Sequence, residues 1–126
     1  RSIGLDFSTP EGAAILRDLA TRADVFLENF RTGTLEKYGL GYEQLKAINP
    51  RLVYCSITGF GQTGPYSDRS GYDYLVQAMG GQMAVTGQPE ADGGIPTRVG
   101  VPIADISAGN NATIASSRST ILLNAR

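Results

Sequence analysis

The chain has 126 residues, of which 41% are hydrophobic and 18% charged, with a net charge of −1. That is enough for one domain with a core, and the near-neutral balance excludes charge-driven nucleic-acid or membrane-surface binding. No apolar run reaches the length of a membrane span, and with no histidine and a single cysteine the chain offers neither a histidine-based nucleophile relay nor a zinc cluster. Cys55 has no internal disulfide partner, which fits a reducing, cytoplasmic setting. The sequence opens on Arg1-Ser2-Ile3, without an initiator methionine and already strand-like, so a fragment of a longer protein is the expectation.

In chain order, Ser2 to Phe7 reads as a strand bounded by turn formers. Ser8-Thr9-Pro10-Glu11 announces a helix: either hydroxyl can cap it, proline suits its first turn, and the glutamate favours its positive end. Ile15, Leu16 and Leu19 recur at helical spacing and predict its buried stripe. Ala23 to Glu28 is a short apolar run, read as a buried strand. Strand, helix and strand in succession predict an α/β fold, part of a doubly wound, Rossmann-like parallel sheet with flanking helices. Leu35 to Tyr38 reads as a helical turn stopped by Gly39, and Tyr42 to Ile48 as a helix ended by Asn49-Pro50. Leu52 to Thr58 is the strongest strand, rich in β-branched and aromatic residues. A glycine-rich loop runs from Gly59 to Gly71. Tyr72 to Met79 reads as a helix with Leu75, Val76 and Met79 on one face, and Thr86 to Val99 as a loop. A final helix is expected from Ala104 onward, despite the polar pairs Asn110-Asn111 and Ser116-Ser117.

Gly59-Phe60-Gly61-Gln62-Thr63-Gly64 has the G-x-G-x-x-G spacing of a dinucleotide loop and follows a strand. That reading needs a helix opening at the third glycine. Pro65 and more loop residues follow instead, so nicotinamide or flavin binding ranks last. The glycines point to a loop that bends close to a ligand or to another part of the chain. Cys55, inside an apolar strand, reads as buried and inert. Parallel sheets bind ligands at the carboxyl ends of their strands. The segments ending there, at Leu5-Asp6, Glu28 to Arg31 and Thr58 to Phe60, offer an aromatic face, an amide, open backbone and the charge of Arg31 or Lys37, a set suited to a nucleotide with phosphates. Asp105, in Gly100-Val101-Pro102-Ile103-Ala104-Asp105, stands where a loop gives way to a helix. Its spacing fits a helix cap, and it is also the natural carboxylate nucleophile in a chain without histidine.

Taken together, several segments resemble the family III coenzyme A transferases, which include formyl-CoA transferase, carnitine CoA-transferase and, as a racemase branch, α-methylacyl-CoA racemase. They are Leu5 to Gly12, Ala23 to Phe30, Gly39 to Tyr42, Asn49 to Ile57, Gly59 to Tyr66 and the Asp105 segment. Each is weak alone; their order, over residues 2 to about 109, is what makes the resemblance specific.

The resemblance implies a fragment of the large CoA-binding domain over residues 1–126, with the second domain and the chain ends absent. It implies Asp105 as a nucleophile that takes CoA from an acyl-CoA and passes it to a small carboxylic acid, through an aspartyl anhydride and an aspartyl-CoA thioester. CoA is then a substrate; no tightly bound cofactor or metal is implied. Asn29 and Phe30 match the Asn-Phe pair that meets the nucleotide end of CoA, and Leu5 falls where backbone approaches the adenine. Lys37 replaces an arginine that reaches phosphate. Ser8 and Ser70 stand where relatives carry lysines, with Arg69 a substitute for the second. Tyr72 occupies the substrate-binding position that is a catalytic histidine in the racemases, and a phenol is a poor base at neutral pH, which favours transfer over racemisation. An interlocked homodimer is implied for the whole protein. The alternatives are a racemase-like enzyme and a CoA- or nucleotide-binding module without chemistry.

Overall fold

The computed structural model describes residues 2–124, with side chains as far as residue 119. Its regular elements are α1 (Pro10–Arg22), β1 (Val25–Glu28), α2 (Tyr42–Ile48), β2 (Val53–Ser56), α3 (Asp73–Met79) and α4 (Ile103–Asn124). Short 3₁₀ turns lie at Glu36–Tyr38, Gln82–Val85 and Glu90–Asp92, the last two around and within the stretch read as loop.

The strands pair in parallel, Val25 opposite Val53 through Glu28 opposite Ser56. The crossover that joins them carries the 3₁₀ turn and α2, so the β-α-β unit is β1–α2–β2. It begins one element later than the sequence suggests, because Ser2 to Phe7 is not a strand. A strand exists only by pairing, and this segment meets no ladder; Ile3 is 68% exposed. Local polar bonds shape it instead. The Asp6 carboxylate accepts from the Ser8 amide (2.9 Å) and hydroxyl (2.6 Å), which holds that carboxyl below its usual range. Thr9 is the hydroxyl that caps α1, accepting from the Gly12 amide at 3.1 Å. The coarse expectation of helices on a parallel sheet holds, with two strands among the described residues.

The core gathers Ala13 and Ala20 of α1, Leu35 and Leu40 of the crossover, Leu45 of α2 and Leu52 before β2. The α1 stripe is therefore the small-residue face, Gly12, Ala13 and Ala20. Leu16 packs against the core as expected, while Ile15 and Leu19 are each 44% exposed. Small residues let the helix approach closely; the larger ones lie on flanks that the described residues cover only in part. Likewise β1 is not buried on both faces: it alternates, with Leu27 exposed. Gly39 ends the 3₁₀ turn in the left-handed conformation, φ 70°, as a glycine stop requires.

Helix α4 persists through its polar stretch. Asn110 and Asn111 are exposed on it, and Thr113 and Ser119 donate their hydroxyls to the carbonyls of Gly109 and Ala115 in the helix's own backbone. It packs on β2 and α3, and this contact sets its first turn beside the carboxyl ends of both strands.

Candidate functional site

A cleft of about 570 Å³ opens at those strand ends. Its walls come from five places: Asn29 to Thr32 after β1, Ile57 to Gly59 after β2, Ser67 and Arg69 to Tyr72 at the end of the glycine-rich loop, Val76 of α3, and Ala104, Asp105, Ala108 and Gly109 on the first turns of α4. Of the residues singled out from sequence, Asn29, Phe30, Arg69, Tyr72 and Asp105 line this one cleft. Leu5 and Lys37 do not; Leu5 is half-buried and Lys37 exposed. Only the segment that follows Leu5 reaches the site's edge, where the Phe7 ring meets Phe30 edge-on at 5.3 Å and Tyr38 at 5.5 Å.

The cleft holds its shape through contacts distant in sequence. Gly59 and Gly71 lie backbone to backbone, so close that a β-carbon on either would strike the other's Cα. This answers the question the glycine-rich loop raised: its glycine bends toward the chain itself. Arg31 Nε donates to Ser70 Oγ at 2.7 Å, tying the β1 exit to the loop end. Gln62 Nε2 donates to Ser56 Oγ at 2.6 Å, tying the loop start to β2. The Arg69 guanidinium lies 4.2 Å from the centre of the Tyr66 ring, and Tyr66 meets Phe60 edge-on at 5.6 Å. Cationic Arg31 and Arg69, Phe30 and Asn29 thus line one cleft, a chemistry that suits an anionic ligand with an aromatic base.

Asp105 is exposed on the third residue of α4 and does not cap the helix by itself. The cap comes from another element. Asp73, first residue of α3, accepts at Oδ1 from the Ala104 amide (2.7 Å) and the Asp105 amide (3.2 Å), the second and third amides of α4. Asp73 Oδ2 accepts from Gln77 Nε2 at 2.5 Å, and Gln77 Oε1 accepts from the Val99 amide at 2.9 Å. Gln77 is 1% exposed and displaces Met79, half exposed, from the inner face expected of this helix. Asp73 and Gln77 were not singled out from sequence. The signal was present: Asp and Gln four apart at a helix start can bond each other along one face. Among the described residues no group of three or more His, Cys, Asp or Glu side chains is placed to hold a metal ion.

The family model for CoA-transferase family III matches residues 1–120. The chain belongs to that family. It is 57% identical over 109 residues to succinate–glutarate CoA-transferase of Agrobacterium fabrum, covering 86% of this chain and 26% of that protein. It is 45% identical over 109 residues to human succinyl-CoA:glutarate CoA-transferase, covering 86% and 24%. Among solved structures, a CAIB/BAIF family protein from Brucella suis superposes with a TM-score of 0.91 at 53% identity, over 97% of this chain and 32% of that one. The family III chain thus spans about a quarter of the length of the curated relatives it matches.

Proposed function

We propose that this family III chain is the nucleophile-bearing part of a CoA-transferase, within a CoA-binding domain whose sheet continues as a doubly wound, Rossmann-like layer. The observation that carries the reading is the shared cleft: Asp105 faces the same space as Asn29, Phe30 and Arg69. Asp73 caps α4 from outside, so the Asp105 side chain is not spent on that task.

In the proposed reaction the Asp105 carboxylate attacks the thioester carbonyl of an acyl-CoA. The C–S bond breaks, CoA thiolate leaves and an acyl-aspartyl anhydride remains. The thiolate attacks the aspartyl carbonyl of that anhydride, which forms an aspartyl-CoA thioester and releases the donor acid. The acceptor carboxylate then attacks the aspartyl carbonyl, forming a second anhydride and expelling thiolate. Attack of thiolate on the acceptor's carbonyl yields the new acyl-CoA and restores the aspartate. Arg31 and Arg69 supply positive charge for the phosphates, Phe30 a face for the adenine, and Asn29 a polar contact. Leu5 and Lys37 are proposed to reach the outer part of the nucleotide from beyond the cleft wall. Tyr72 borders the acyl end and favours transfer over racemisation, because a phenol does not take an α-proton readily at neutral pH. Relatives named for succinyl-CoA, glutarate, malate and oxalate suggest a short dicarboxylic acid as donor or acceptor.

The test is Asp105→Ala in the complete polypeptide. We expect CoA transfer between acyl-CoA and a free acid to fall by at least about a thousandfold, the scale of losing a covalent nucleophile. Hydroxylamine should trap an acyl adduct at residue 105 of the parent protein, read by mass spectrometry. Full turnover in the variant sinks the nucleophile assignment; CoA binding with no adduct and no turnover leaves a binding module.

A further inference from the structure

The bonds around Gln77 run in one direction only. The Val99 amide can only donate, so Gln77 must present its oxygen there and its NH₂ group to Asp73. The Ala104 and Asp105 amides also only donate, so Asp73 must accept at both oxygens. The relay therefore has a fixed polarity from the loop at Val99, through the buried Gln77 amide, to the backbone amide of Asp105 itself. Its far end is bonded to the residue whose side chain faces the cleft, 32 positions away in sequence. Neither Asp73 nor Gln77 lines that cleft, so neither has a contact with ligand to explain its presence. A buried glutamine is costly unless its amide is bonded, and here its NH₂ group holds Asp73, which in turn holds the first turn of α4, while its oxygen holds the segment that leads into that helix.

We propose that Asp73 and Gln77 are positioning residues for the reaction: the polarised relay sets where the Asp105 backbone, and with it the attacking carboxylate, stands relative to bound thioester. This rests on the reading of Asp105 as nucleophile. Covalent chemistry is sensitive to such placement, and an error of about 1 Å costs on the order of a hundredfold in rate. Asn29, Phe30 and Arg69, the residues proposed to recognise CoA, take no part in the relay's hydrogen bonds.

The polarity makes a sharp test possible. Asp73→Asn gives an amide that cannot accept at both ends, and Gln77→Glu sets two carboxylates face to face. Each single change breaks the relay. Made together, they rebuild it reversed at its centre: the new amide still accepts from Ala104 and Asp105 and now donates to the new carboxylate, which still accepts from Val99. Net charge is the same as in the parent.

In the complete protein, we expect each single variant to lower kcat by about tenfold to a hundredfold while the dissociation constant for CoA, by calorimetry, moves less than about threefold. The double variant should return kcat to within about fivefold of the parent. A role limited to general stability would lower turnover and CoA binding together, through loss of folded protein. Single variants at parental kcat overturn the proposal, as does a double variant no faster than the slower single. If a single variant fails to fold, the same swap should restore both folded protein and kcat, and a folded double variant without turnover counts against the relay. Failure of the nucleophile reading is seen separately, as absence of a hydroxylamine-trapped adduct at residue 105 of the parent.

Discussion

Tyr54 shows how one side chain can set a pH limit. Its ring stacks on Phe26 at 5.2 Å and its hydroxyl reaches the Leu40 carbonyl at 3.4 Å. Burial, reinforced by the carboxylates of Glu28 and Glu36, pushes its phenol above the ordinary value of 10.0. A group with a raised folded pKa stabilises the fold fully below its unfolded value, and that contribution drains away as pH rises toward the folded one. The fold should therefore weaken above pH about 10, and Tyr54→Phe should flatten the fall in Tm on the alkaline side at a cost of about 1 kcal/mol or less near neutrality. Melting curves across that range check it; an unchanged alkaline slope in the variant would remove Tyr54 from the explanation. At this scale the sequence was readable where chemistry sits in one residue. Asp105, Asn29 and Phe30 could be named because carboxylate, amide and ring each suit a ligand, whereas Arg69 was named only through the family resemblance. Asp73 was harder to see, since its partners at residues 104 and 105 come from a contact that only tertiary packing creates.

Among elements, the joint between α1 and α2 adds one doubly used amide to the apolar contact of Ala13 and Ala20 with Leu45. Asn49 Nδ2 donates to the carbonyls of Ala20 and Ala23, both at 2.9 Å, where α1 ends. Asn49→Ala would leave those carbonyls without this donor and is expected to lower stability by about 1–3 kcal/mol, read as a drop in the urea midpoint with unchanged slope. A shift within error would show that other groups take over. The helices were legible because their stop signals are local: proline and threonine at the start of α1, Gly39 after the 3₁₀ turn, Asn49-Pro50 after α2. The first strand was not, because a strand requires a neighbour and alternation cannot reveal whether one is present. The α1 stripe also misled. Spacing favours Ile15 and Leu19, yet the packing selects the small residues beside them, which allow a closer approach.

At the level of the whole molecule, the buried core is small and the uncovered apolar surface is large. Val85 is 86% exposed and Ile95 75%, and Ile3, Leu27 and Ile114 join them on the surface. Apolar surface on this scale marks places where other polypeptide packs. We therefore expect residues 1–126 expressed alone to bind a hydrophobic dye such as ANS strongly and to melt over a broad range, while the complete protein binds little and melts sharply. Weak dye binding with a sharp transition would show that this stretch is self-sufficient. Parallel pairing was foreseeable from the β-α-β order, but the number of strands was not, since two strands and their crossover look the same in a small sheet as in a large one.

The contact between Gly59 and Gly71 carries a consequence for how this site can vary. Because the two glycines press together, the twelve-step excursion between them closes on itself like a buckled strap. Its tip at Thr63, beyond the Gln62 tie to β2, can lengthen or shorten at little entropic expense while the buckle stays shut. Sequence variation can thus accumulate at the tip without disturbing the cleft that Asp105 lines, whereas any side chain at the buckle would pry both apart.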